Sequence, residues 1–453
     1  MTSMFSSNPL RSPPPQGVQL SLSDRVNNLA RQSTVCQIGK VVEAVGTILR
    51  ATGLSARIGD LCLIKPPHGH LTIPAEVVGF SNGLTLLTPL GSLQGVSIGS
   101  QVLPTGRPHE IPVGNGLLGR VIDANGDPID DGGPIAVDGK LSVYGDPPKP
   151  LKRMLIDTPF STGVRAIDGL TTVGRGQRLG IFAVAGGGKS TLLGMIARGS
   201  NANINVVALV GERGREVREF IVDNLGEAGL AKSVIVVATS DRPAMERAKC
   251  ANVATAIAEY FRDQGADVLL MVDSVTRYAR ALRDVGLAIG EPPTRRGFTP
   301  SVFSAMPRLF ERAGTSEFGA ITAFYTVLAE DEDGTDPIAE EVRSILDGHI
   351  VLSRKLAAAN HYPAIDIGSS TSRVMSRVTD REHRAAAGEF RALQAKYEEI
   401  EMLIRMGEYK SGSDAQADRA IDRIERMRSL LQQGADEKII FEMTREALIE
   451  ITQ

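Results

Sequence analysis

A chain of 453 residues is too long for one ordinary core and calls for about two to four domains. Its 42% apolar and 23% charged residues are ordinary for a globular protein, which excludes a disordered or membrane-embedded class. A formal charge of −3 gives no overall attraction to nucleic acid, and aromatics at 4%, with no tryptophan, are too sparse for base-stacking platforms.

The first 25 or so residues, which begin "MTSMFSSNPLRSPPPQG", are rich in Ser and Pro and read as a mobile tail. They lack a basic stretch leading into an apolar one, and no apolar run anywhere has membrane-spanning length, so the cytoplasm is the expected location. Cys36, Cys62 and Cys250 are widely spaced, which argues against a zinc site or a disulfide scaffold and for buried reduced thiols. Residues 26–103 contain short β-type runs, "IGKVVEAVGTIL", "GDLCLI", "AEVVGF" and "GLTLLT", broken by Gly, Asn and Pro turns. They predict a small β-barrel. Phe80 and scattered basic residues do not make a single-strand-binding face, so the barrel reads as an assembly collar.

Beyond the Pro-rich "YGDPPKP", strand-like runs alternate with helical ones: "LGIFAVA", "INVVALV", "SVIVVATS", "ADVLLMVDS" and "GAITAFYTVLA". Such alternation predicts a mostly parallel sheet covered by helices, with ligands bound beyond the carboxyl ends of its strands. After about residue 376 the β signal stops. Phe390, Leu393, Tyr397, Ile400, Leu403 and Ile404 share one helical face, as do Ile421, Ile424, Met427 and Leu431. The expected division is therefore tail 1–25, barrel 26–103, nucleotide domain 104–375 and helical domain 376–453.

At the heart of the second segment stands "AVAGGGKST". An apolar run leads through Gly186, Gly187 and Gly188 to Lys189, Ser190 and Thr191, where a helical pattern begins. Glycines there let backbone N–H groups turn toward a phosphate, Lys189 reaches the β/γ-phosphates, and the Ser190 hydroxyl serves Mg²⁺. Ala183 occupies the position of the first glycine in the P-loop pattern. The run "DVLLMVD" ends in Asp273, a second candidate for Mg²⁺ or its water. "INVVALV" leads directly to Glu212 and Arg213; the glutamate could polarise the attacking water, or could simply be a helix-start acid paired with Arg213 or Arg215.

These residues, with "GERGREVREF", "EPPTRRGFTPSVFSAMPRLFERAG", "ITAFYTVLAEDEDGTDPIAEEVRSILDGHIVLSR" and "HYPAIDIGSSTSRVMSRV", resemble the ATPase of bacterial type III protein secretion. That family is similar in turn to the catalytic subunits of rotary F- and V-type ATPases. The resemblance spans residues from about 35 to the end. It implies an α/β fold with a RecA-like P-loop core, an N-terminal β-barrel and a C-terminal helical domain, assembled as a homohexamer with ATP between subunits. By resemblance, Lys189 and Ser190 take the phosphate and metal positions, Glu212 is the catalytic glutamate with Arg213 beside it, and Asp273 is the metal-site aspartate. Arg373 matches the arginine finger of the neighbouring subunit, and Tyr362 the aromatic that stacks on adenine.

The resemblance further implies ATP and Mg²⁺ as ligands, and as partners a stator-like regulator, a central stalk, the export gate and chaperone–effector complexes. Peripheral association with the inner membrane would accompany them. Arg295 and Arg296 fall in the loop that lies near the ring axis in such enzymes. The C-terminal segment is closer to the injectisome branch, with the flagellar export ATPase as the near alternative. A silent ring subunit would carry glutamine in place of Glu212, and a nucleic-acid translocase would need a basic, aromatic barrel face.

Overall fold

The computed structural model describes residues 37–67, 72–184, 186–328 and 336–453. The expected tail, Cys36 and the opening residues of the expected barrel segment lie outside the described residues. Six strands, β1 (Gly39–Val45), β2 (Ile48–Thr52), β3 (Asp60–Lys65), β4 (Ile73–Ser81), β5 (Leu84–Pro89) and β6 (Gln101–Pro108), close into a barrel. Their alternation sets the faces: in β1, Val41 is buried while Lys40 and Val42 face outward. Asn82 and Gly83, at φ 51° and 75°, form the tight turn that joins β4 to β5.

The larger sheet contains β7 (Val121–Asp123), β8 (Arg178–Ala183), β9 (Ile204–Val210), β10 (Ser233–Ala238), β11 (Asp267–Asp273), β12 (Ala320–Leu328), β13 (Gly348–Leu352) and β14 (Ile365–Ser372). Their order is β14-β13-β8-β12-β11-β9-β10-β7, and Gly314–Thr315 adds a short antiparallel strand beside β12. Along this order only β14 runs antiparallel to its neighbour.

Both faces of this sheet are dry, because the strands are apolar at consecutive positions. In β9, Val206, Ala208 and Val210 enter one core, and Val207 and Leu209 the other. Helix α1 (Lys189–Gly199) covers the second face through Leu192, Leu193 and Ile196; α2 (Ala244–Asp263) and α3 (Val275–Ala288) cover the first.

Three further helices complete the chain: α4 (Arg381–Arg405), α5 (Ala415–Leu431) and α6 (Phe441–Thr452). Asp380 caps α4 by accepting from the His383 backbone N–H at 2.8 Å. Phe390 and Leu393 of α4, Met427 and Leu431 of α5 and Leu448 of α6 join the core that holds α1 and β8. The expected stripe is thus buried at Phe390, Leu393 and Ile400, whereas Leu403, in the last turn of α4, is 41% exposed.

Barrel and sheet meet at a buried charge cluster. Lys249 of α2 is 2% exposed and pairs with Glu76 of β4. Tyr144 donates to the same carboxylate at 2.5 Å. Nearby, Arg312 and Glu259 pair at 2.6 Å with both side chains buried.

Replacing Phe390, wholly buried, with alanine removes packing between α4 and the sheet. Chemical denaturation of Phe390→Ala is expected to show a loss of about 3–5 kcal/mol. Leu403→Ala, at the exposed end of the stripe, is expected to change stability by under about 0.5 kcal/mol.

Candidate nucleotide site

β8 ends at Ala183, which is buried, and the chain turns through Gly186, Gly187 and Gly188 into α1. Gly186 and Gly188 have φ of 82° and 79°, a region that side-chain-bearing residues rarely enter. No side chain among the described residues caps α1, which leaves its first backbone N–H groups available to an anion. Lys189 begins the helix, and Ser190 and Thr191 are exposed in its first turn.

Parallel register brings the other groups to the same edge. Leu209 of β9 is level with Asp273 of β11, and Ala183 of β8 with Leu328 of β12. Lys189 Nζ therefore meets two buried carboxylates, pairing with Asp273 Oδ1 and lying 3.5 Å from Glu212 Oε1. Thr326 of β12 donates its hydroxyl to Asp273 Oδ1 at 2.7 Å. Arg277, in the first turn of α3, lies 3.2 Å from Glu212 Oε2 and donates to the Gly211 carbonyl. Two cations thus balance two carboxylates whose side chains are only 4% and 8% exposed.

Burial pushes the Glu212 carboxyl up to about 7, reinforced by a hydrogen bond with Glu216 and by the charge of Asp273; Lys189 and Arg277 offset part of this. The shared hydrogen bond lowers Glu216 in turn. A carboxyl that titrates near neutrality can take and return a proton under working conditions.

The remaining residues singled out in the sequence fall in different places. Arg213 is 76% exposed and pairs with Glu216 at 3.2 Å, outside the group around Lys189. Arg277 holds Glu212 instead; its only sequence signal is its place one helical turn after Asp273. Tyr362 lies over the glycine loop: a Cβ on Gly188 would sit 3.4 Å from its ring. Arg373 is elsewhere. Gly348 of β13 pairs with Ser372 of β14, whereas Leu352, at the other end of β13, is level with Ala183. Arg373 is therefore separated from its own glycine loop by the length of β13, about 13 Å of strand.

An ATP-binding P-loop at the carboxyl edge of a parallel sheet, beside a barrel and a helical domain, defines the class. The ATP synthase alpha/beta family matches here in two parts, its beta-barrel domain over residues 41–106 and its nucleotide-binding domain over 163–372. The T3SS EscN ATPase C-terminal domain matches residues 379–450. The type 3 secretion system ATPase of Xanthomonas euvesicatoria is 58% identical over 414 residues, covering 91% of this chain and 94% of the relative. The flagellum-specific ATP synthase of Bacillus subtilis (strain 168) is 51% identical over 418 residues, covering 91% of this chain and 95% of the relative. Among solved structures, the assembled ATPase EscN of enteropathogenic E. coli superposes with a TM-score of 0.86 at 51% identity, over 92% of this chain and 100% of that one. EscN is also solved in complex with its central stalk EscO. The chain belongs to the ATP synthase alpha/beta family and, within it, to the type III secretion ATPases. It is an ATPase that energises type III protein export.

The proton on Glu212 can be observed directly. In nucleotide-free protein, carboxyl NMR is expected to show Glu212 titrating near 7, and Glu216→Gln to move it downward. Because the folded chain holds this proton more tightly than the unfolded one, the group's contribution to stability falls as pH rises from the ordinary glutamate range through about 7. Glu212→Gln is expected to remove that slope from denaturation measured against pH.

Proposed function

We propose that the chain hydrolyses ATP at sites shared between the subunits of a homohexameric ring, at the cytoplasmic base of a type III secretion apparatus. The observation that carries the shared site is the position of Arg373, at the far end of β13 from its own glycine loop. Among the described residues its guanidinium makes no hydrogen bond to the group around Lys189, and it lies 3.4 Å from the Arg343 carbonyl. In a ring it serves the neighbour, stabilising charge on the γ-phosphate as arginine fingers do, by roughly 10³–10⁵ in rate.

Within the site, Gly186, Gly187 and Gly188 with the start of α1 cradle the phosphates, and Lys189 exchanges its carboxylate partners for phosphate oxygens. Glu212 accepts the proton of the attacking water, with Arg277 holding its second oxygen; Arg213 would have to leave Glu216 and turn inward to take part. Tyr362 stacks on the adenine. Ser190 and Asp273 offer a hydroxyl and a carboxylate, the hard oxygen donors that suit Mg²⁺. No group of three or more His, Cys, Asp or Glu side chains that could cage a metal occurs among the described residues, which fits an ion held chiefly by nucleotide and water. Bound there, Mg²⁺ would neutralise phosphate charge.

The division into barrel 26–103, nucleotide domain 104–375 and helical domain 376–453 belongs to the same reading, except that β6 carries the barrel on to Pro108. Hydrolysis then drives release of cargo from its chaperone, unfolding of that cargo, or turning of a central stalk, with a stator-like regulator and the export gate as further partners. No helix among the described residues is long and apolar enough to cross a membrane, and peripheral association with the inner membrane belongs to the same proposal. The close likeness to a flagellum-specific enzyme keeps flagellar export as the second reading.

Steady-state ATP hydrolysis against protein concentration, alongside sedimentation, tests the ring. Specific activity is expected to rise as hexamers form, and Glu212→Gln and Arg373→Ala to assemble yet lose at least about a hundredfold in turnover. Activity flat in concentration with Arg373→Ala fully active would remove the shared site. Arg295 and Arg296 are exposed in the turn Arg295–Gly297. The pair Arg295→Glu and Arg296→Glu is expected to spare nucleotide binding and abolish stimulation by the stalk protein; unaltered stimulation would exclude a contact there.

A further inference from the structure

Against the far side of the Tyr362 segment is a cavity of about 420 Å³ that the nucleotide chemistry leaves unused. One wall is the stretch from Lys355 to His361; the other is formed by Phe390 and Tyr397 of α4 and Met427 of α5. Its size is that of a small-molecule site, and its lining divides between apolar groups such as Ile365, Phe390 and Met427 and polar ones such as Lys355, His361 and Gln394.

Two polar atoms on the lining are buried without a hydrogen-bond partner, His361 Nε2 and Gln394 Oε1. His361 is only 8% exposed. Burial, with the charge of Arg428 added, holds its pKa below the ordinary value, so the ring is neutral and can donate or accept. Unpaired buried groups of this kind are costly and rare in native proteins.

At the mouth, most charges are already engaged. Glu401 pairs with Arg405 at 2.8 Å, Arg428 with Glu425 at 3.0 Å, and Glu398 accepts from Gln394 at 3.1 Å. Arg428 also lies 5.3 Å from the centre of the Tyr397 ring. Lys355, exposed on the mouth, has no ion-pair partner among the described residues.

We infer that this cavity is a second ligand site, which takes a small aromatic acid. Its ring lies among Phe390, Tyr397 and Met427, its carboxylate meets Lys355, and a polar substituent satisfies His361 and Gln394. The two sites are joined by Tyr362. That residue comes directly after His361, its ring lies against Gly188, and its carbonyl accepts from the backbone N–H of Gln433 at 2.9 Å. Gln432, the preceding residue, lines the cavity. A bound acid therefore fixes the segment that carries Tyr362 and alters nucleotide affinity rather than the chemical step.

Calorimetric titration of 6-hydroxy-2-naphthoate, which carries both the carboxylate and a polar substituent, into the nucleotide-free full chain tests the site without calling on hydrolysis. One site per chain is expected, lost in Met427→Trp, whose side chain fills the cavity, and weakened several-fold in Lys355→Met, a surface change that leaves the fold alone. Absence of binding at millimolar naphthoate, or binding indifferent to Lys355→Met, overturns the site even if Met427→Trp fails to fold. The coupling is read separately, from ATP hydrolysis at saturating naphthoate. A several-fold shift in KM with kcat unchanged supports it; an unchanged KM overturns the link through Tyr362.

Discussion

The parallel pairing of β8 between β12 and β13 is the constraint on which the rest of the molecule depends. Parallel strands all end at the same edge, so Ala183, Val210 and Asp273 arrive together although the chain between them is long. The crossover helices that such pairing requires cover both faces and leave that edge as the place where polar groups can stand at the rim of a dry interior. Lys189, Glu212 and Asp273 are neighbours for this reason alone.

Burying two carboxylates at that edge is unfavourable unless each is paired. Lys189 and Arg277 supply the charge, and the Thr326 hydroxyl and the hydrogen bond with Glu216 supply the remaining partners. The nucleotide-free site is therefore a closed electrostatic unit. On the proposed reading, phosphates at the start of α1 would compete with Asp273 for Lys189, which would tie nucleotide binding to a rearrangement of these carboxylates.

Much of this was legible in the sequence, and the limits have physical causes. β8 through β12 are continuous apolar runs because both their faces are buried, so five strands and their order of appearance could be read directly. β7, β13 and β14 escaped: β7 has only three residues, and "GHIVL" and "IDIGSSTS" mix polar residues into strands near the sheet's margin. Lys189, Ser190, Glu212 and Asp273 announce themselves by glycine, helix start and strand end. Arg277 carries no such mark, because its role comes from the direction in which α3 leaves β11. Arg213 shows the converse, since adjacency to Glu212 in sequence sends its side chain outward to Glu216. Arg373 was singled out only through the family resemblance, as nothing in the local pattern of a polar strand end distinguishes it from an ordinary surface arginine.

The three domains read from sequence are not three units of stability. Helices α4, α5 and α6 share one apolar core with α1 and β8, so melting the C-terminal helices would expose apolar surface on the sheet's second face. The barrel differs, with its own core around Val41, Leu49, Ile64 and Leu87 and, among the described residues, a small apolar cluster, Leu90 with Ala244, Met245 and Val285, bridging to α2 and α3. Apart from that cluster it is tied by the Glu76–Lys249–Tyr144 network, whose pairing holds only while Lys249 is kept from water. Packing therefore divides the described chain in two, a barrel with its own core and a nucleotide-plus-helical body built on both faces of one sheet, the kind of division along which cooperative unfolding units form.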